Sequence, residues 1–128
     1  MGGALEAATR QYLGSVDRKD VEAINRAGSE DIQGVDEISR HWMRGNDELS
    51  AYIRQLMTMV ENVHTSISDV HEAELGDIGL VTCWIDQDYT LEGKRHHVSA
   101  PTTLAFRREG GAWKVLLFHS VPLAPEEK

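Results

Sequence analysis

Thr103-Leu104-Ala105-Phe106-Arg107-Arg108-Glu109-Gly110-Gly111-Ala112-Trp113-Lys114-Val115-Leu116-Leu117-Phe118-His119-Ser120 is two apolar runs broken once, at Glu109-Gly110-Gly111-Ala112. Paired glycines accept the backbone angles of a tight reversal, so the stretch predicts a hairpin. Upstream, Glu92-Gly93 marks a second hairpin, between runs near Leu80–Tyr89 and His97–Arg107. Gly76-Asp77-Ile78-Gly79 marks a third, joining Ile67–Leu75 to Leu80–Tyr89. β-branched and aromatic residues gather in these runs, and with Trp113–Val121 they predict a four-stranded antiparallel meander.

Helical spacing dominates the first half of the chain. Leu5, Ala8, Tyr12, Leu13 and Val16 recur at three-and-four intervals and predict an amphipathic helix over the first eighteen or so residues. Asp20 caps a short second helix through Ala27, with Gly28 as its stop signal. Ser29 to Trp42 sustains neither period and reads as short strands or loop. Asn46 caps the clearest helix, with Leu49, Tyr52, Ile53, Leu56, Val60 and Val63 down one face. Helices first and strands second is an α+β order, with the helices on one face of the sheet.

The 128 residues suit one domain, with a core over about 5–123 and a tail, 124–128, that frays. Thirteen Lys and Arg against twenty-one Asp and Glu give a net charge of −8, the wrong sign for phosphate backbones or anionic lipid, so neither nucleic acid nor a membrane is expected as partner. The single Cys83 cannot form an internal disulfide. The N-terminus has no basic patch or apolar run, and Val115–Phe118, the longest uncharged apolar stretch, is far too short to cross a bilayer. The reading is a soluble, cytoplasmic protein.

Element order and three local stretches resemble the SnoaL-like branch of the nuclear-transport-factor-2-like superfamily. Thr103–Ser120 resembles its last hairpin, Gly45-Asn46-Asp47-Glu48-Leu49 its glycine-led helix start, and Tyr12-Leu13 followed by Asp17–Ile24 its first helical turn. The resemblance runs from about Leu5 to Leu123. It implies an α+β, cystatin-like cone, with N-terminal helices packed in the concave face of a curved, mostly antiparallel sheet around one deep pocket. It does not choose an activity, because the superfamily includes isomerases, cyclases, hydrolases, dehydratases and dimeric scaffolds.

Steroid isomerases of this superfamily use a carboxylate base with a tyrosine and a protonated aspartic acid that hold the enolate oxygen. Laid without gaps on that pattern, Tyr12 falls at the tyrosine, Asp36 at the base and Gly45 at the glycine opening the long helix. Thr103, or its neighbour Thr102, stands where the family has the protonated acid. A threonine hydroxyl still donates one hydrogen bond, but it is shorter and less acidic.

Each candidate has a second reading. Asp36 is a general base if it faces a dry pocket, where desolvation disfavours its charge; otherwise it is a capping or surface carboxylate in a loop with Glu30, Asp31 and Glu37. A neighbouring register turns Glu37 inward instead. Tyr12 is a hydrogen-bond donor at the pocket floor or a core tyrosine. His119 shares strand parity with Trp113, Val115 and Leu117, which directs it to the apolar cavity as a proton shuttle or a satisfied imidazole. Trp42, beside His41 and ahead of the long helix, packs or forms a stacking platform at the pocket mouth. Tyr52, Leu56, Met59, Cys83, Ile85, Thr103 and Leu117 complete the expected ligand lining, Cys83 as a small buried hydrophobe.

No metal site and no cofactor are expected. His96 and His97 are strand neighbours facing apart, and neither an HExxH motif, a cysteine pair nor a glycine-rich phosphate loop occurs. Two functions stay open. One is a cofactor-independent acid–base enzyme acting on a small apolar carbonyl or hydroxyl compound; the other is a non-catalytic ligand-binding or association module. Both carry the expectation of a homodimer through the outer sheet face, since strands such as Leu80–Tyr89 and Trp113–Val121 are apolar on both parities.

Overall fold

The computed structural model describes residues 3–124, and within them three helices pack on one face of a curved six-stranded sheet. The order along the chain is α1 (Ala4–Asp17), α2 (Val21–Ala27), β1 (Gly28–Asp36), β2 (Met43–Arg44), α3 (Asn46–Met59), β3 (Val60–Leu75), β4 (Ile78–Leu91), β5 (Lys94–Glu109) and β6 (Ala112–Ser120). Across the sheet the order is β2-β1-β6-β5-β4-β3. The meander β3 to β6 is antiparallel, as its turn residues require. Of the tail expected to fray, residues 125–128 lie outside the described residues.

The stretch left between strand and loop contains a strand pairing that local pattern does not reveal. β1 runs parallel to β6, with Gly34 opposite Phe118 and Asp36 opposite Ser120, and β2 pairs antiparallel on its other side. Ile32, Gly34 and Asp36 alternate onto the inner face, where Ile32 is fully buried. A parallel partner distant in sequence leaves no turn signal beside it.

The long helix differs from expectation at both ends. Its N-cap is Gly45, at φ +88°, and the Asn46 side chain, inside the first turn, donates to the Asn25 carbonyl at 3.2 Å. It stops at Met59. Val60 continues the helical spacing of Leu49, Ile53 and Leu56 and is just as buried, yet it opens β3 opposite Leu91. Asn62, at φ +56°, then marks a register shift between Glu61 and His64.

Helix α1 meets the sheet through a glycine. A Cβ on Gly79 of β4 would lie 2.8 Å from Leu5 Cδ1, so the missing side chain lets Leu5 sit directly on the strand. Glu72 of β3 reaches the free end of α1, where its carboxylate accepts the Glu6 N–H at 2.8 Å. The buried hydroxyls of Thr9 and Ser15 donate to the carbonyls of Leu5 and Gln11 one turn back. Asp20 caps α2 as its position predicts, accepting the Ala23 N–H at 3.1 Å.

Candidate functional site

A cavity of about 90 Å³ opens between α1, α3, the end of β1 and the inner face of the sheet. Leu13, Leu49, Ile53, Met57, Ile85 and Phe118 are among its apolar walls, and Tyr12, Asp36, Glu37, Tyr52, Tyr89 and Ser120 bring the hydroxyls and carboxylates. All three tyrosines of the chain line this one space.

Asp36 is placed there by the β1 alternation and fixed by its neighbours. Its Oδ1 accepts the N–H groups of Ile38 and Ser39 at 3.0 and 2.8 Å, the geometry of an Asx turn that ends the strand. The Tyr52 hydroxyl, from α3, donates to Oδ1 and Oδ2 at 2.9 and 3.1 Å. Asp36 therefore caps a turn and lies on the cavity wall as well.

Glu37 follows it onto the same cavity wall. Its Oε2 is buried and accepts no hydrogen bond of ordinary geometry from the described residues. Tyr89 of β4 stands against this carboxylate and is itself stacked on His96, ring centroids 5.1 Å apart and 13° from parallel.

The phenols are held neutral. Burial first, then the Asp36 charge, pushes the Tyr12 hydroxyl well above the usual tyrosine range. The same causes act on Tyr52, reinforced by its hydrogen bond to Asp36. Burial first, then the charges of Glu37 and Asp36 and the hydrogen-bonding contact with Glu37, push Tyr89 up to about 12. At neutral pH each is a donor, and none is a base.

Tyr12, Asp36, Tyr52, Leu56 and Ile85 are brought together on the cavity wall. Six other residues expected at the site lie elsewhere. In β6 the register with β5 shifts at Leu116, so Val115 and Phe118 both point inward, while Leu117 and His119 turn to the outer face. Thr103, directly opposite His119, is carried outward with it; Thr102 points in and joins its Oγ1 to Ser120 Oγ at 2.8 Å. Trp42 is 38% exposed and leans on His119, ring centroids 5.8 Å apart. Met59 is on the outward side of α3, 39% exposed, and Met57 takes the inward position. Cys83 is buried in the core, outside the cavity wall, and burial pushes its thiol up.

Tyr89, Ser120 and Phe118 are cavity residues that sequence reasoning did not select. Tyr89 shares the parity of Cys83 and Ile85, which was enough to place it. Phe118 and Ser120 depend on the β6 bulge, which has no local signal. Among the described residues no group of three or more His, Cys, Asp or Glu side chains could hold a metal ion, and no helix is long and apolar enough to cross a membrane.

The fold is shared with known proteins. No curated protein matches the chain. Among solved structures, a candidate dehydratase of the nuclear-transport-factor-2-like family from Streptomyces avermitilis superposes with a TM-score of 0.86 at 19% identity, over 95% of each chain. A ketosteroid isomerase-like protein from Erwinia carotovora atroseptica gives 0.80 at 20% identity, again over 95% of each chain. A candidate calcium/calmodulin-dependent protein kinase II association domain from Xanthomonas campestris gives 0.82 at 16%, over 96% of this chain and 89% of that one. At such identities the likeness is one of fold. The SnoaL-like domain model matches residues 5–124, nearly the whole sequence, and the chain belongs to the SnoaL-like family.

Proposed function

We propose that the chain is a cofactor-independent acid–base enzyme of the isomerase, cyclase, hydrolase or dehydratase type, acting on a compact, largely apolar carbonyl or hydroxyl compound. The observation that carries this is the convergence of two adjacent carboxylates and three neutral phenols in one apolar cavity. A general base needs a lone pair within reach of the substrate proton, and a carbonyl oxygen gaining charge needs a donor opposite it. Asp36 and Glu37 supply the first; Tyr12 supplies the second, while the Tyr52 proton stays on Asp36. A cavity of about 90 Å³ takes only the reacting end of a small molecule. Trp42 and Met59 do not plug it.

The reading has one domain with one site. It places the protein in the cytoplasm, the compartment where a lone thiol such as Cys83 stays reduced. The test is a screen of compact carbonyl and hydroxyl compounds with the native chain and the double variant Asp36→Asn/Glu37→Gln. Turnover confined to the native chain supports the proposal; equal turnover by both removes the carboxylates from the chemistry.

A second reading is a dimeric ligand-binding or association module. It is favoured by the outer sheet face, where Leu80, Ala105 and Leu117 form one cross-strand row beside Trp84, Pro101 and Trp42. Two of the solved relatives are labelled candidate association domains. A second copy of the chain is the occupant this face suits, and it leaves the cavity on the opposite face untouched. Native mass spectrometry showing a tightly held small molecule, with no turnover in the screen, would select this module over the enzyme.

A further inference from the structure

The two carboxylates of the cavity are unequal. Asp36 Oδ1 already accepts the N–H groups of Ile38 and Ser39, and the single Tyr52 hydroxyl proton is shared between Oδ1 and Oδ2. Glu37 Oε2 is buried and accepts no hydrogen bond of ordinary geometry from the described residues, although the Tyr89 phenol stands against the same carboxylate. Leaving a buried acceptor unpaired is costly, so native structures rarely retain one without a use. The wall around it is chiefly apolar. A partner for this oxygen therefore comes from the occupant of the cavity.

We propose that Glu37 is the ligand-facing acceptor of this site, and that the ligand is a compact, uncharged molecule with an apolar body presenting one O–H or N–H donor to Glu37 Oε2. Three features define that ligand. The size of the cavity limits the inserted portion to a few heavy atoms. The aliphatic and aromatic walls select an apolar body, and they disfavour an ammonium group, which would have to shed its water among them. Tyr89 supports the acceptor from the side, and the stacked His96 ring holds Tyr89 in place. Asp36, by contrast, is already occupied as the turn cap and the anchor of Tyr52.

The inference rests on the pocket reading above but is tested by binding, without turnover. Pyrrole and furan are rings of the same size, and only pyrrole donates a hydrogen bond; pyrrolidine, protonated at neutral pH, is the charged control. Affinities come from amide chemical shifts of the full chain titrated with each probe. The expected result is pyrrole binding roughly tenfold or more tighter than furan and tighter than pyrrolidinium, with shifts centred on the cavity. Glu37→Met brings pyrrole and furan level, and Glu37→Gln, which keeps the volume and a neutral acceptor, narrows the ratio.

Equal binding of pyrrole and furan to the native chain would overturn the proposal. So would absence of binding by either, tighter binding of pyrrolidinium, a ratio unchanged in Glu37→Gln, or a ratio lost in Asp36→Asn and kept in Glu37→Met. Failure here leaves the acid–base reading standing on Asp36. A Glu37-dependent donor preference without turnover in the screen retains this inference and removes the chemistry.

Discussion

The Tyr52 hydroxyl is shared by both carboxylate oxygens of Asp36, tying the middle of α3 to the last residue of β1 at the cavity wall. A hydrogen bond to a charged acceptor contributes more than one between neutral groups. Tyr52→Phe keeps the ring and removes the donor, while the Ile38 and Ser39 N–H groups continue to hold Asp36. The expected loss is about 1–3 kcal/mol. It is read as a lower urea midpoint at unchanged slope.

A second expectation concerns alkaline pH. All three tyrosines are held neutral above their ordinary range, Tyr89 at about 12. Between pH 10 and 12 the unfolded chain therefore binds fewer protons than the native one, and stability falls as pH rises. The contribution is intact below pH 10 and fades through the folded-state value. Each buried phenol adds a slope of about 1.4 kcal/mol per pH unit over its window. Native protein at pH 10 should show little phenolate absorbance, whereas urea-unfolded protein titrates near 10. Ordinary titration of even one tyrosine in the native chain would place it outside the cavity wall.

Gly79→Ala tests how α1 is seated. The new methyl group would meet Leu5, a fully buried residue that cannot swing away. Overpacking of this kind costs roughly 1–3 kcal/mol. The variant should unfold at lower urea, and Leu5→Ala should cost less on this background than in the native chain. Independent, additive effects would show that the two residues do not touch.

These cases show what the sequence carries and what it hides. The meander was legible because its turns are local: Gly110-Gly111 and Glu92-Gly93 announce themselves. The family resemblance extended that to the cone and to Tyr12 and Asp36, which the fold does bring together. Strand β1 was not legible, since its partner β6 is some eighty residues away and the pairing is parallel. Val60 was misread because a buried residue one helical step past Leu56 fits either element. The assumption of unbroken alternation through β6 directs His119 and Leu117 to the wrong face, and one bulge reverses them; Thr103, selected by the family resemblance, faces outward opposite His119, and its neighbour Thr102 points in. Gly79 was read as a turn residue, while its role is the close approach of Leu5.

A further prediction is self-association through the outer face. Leu117 and Trp84 lie there, away from the cavity, so Leu117→Glu should leave the fold intact and disrupt pairing. Light scattering at micromolar concentration is expected to give a dimer mass for the native chain and a monomer mass for the variant. A native monomer would contradict the dimer.

The central claim is that this cavity moves protons, and the most direct measurement is deuterium exchange at the α-carbon of compact ketones such as cyclopentanone, followed by NMR in heavy water. The account predicts exchange well above background with the native chain, slowed by Tyr12→Phe and returned to background by Asp36→Asn/Glu37→Gln. Exchange at the same rate with the native chain and the folded double variant would contradict it.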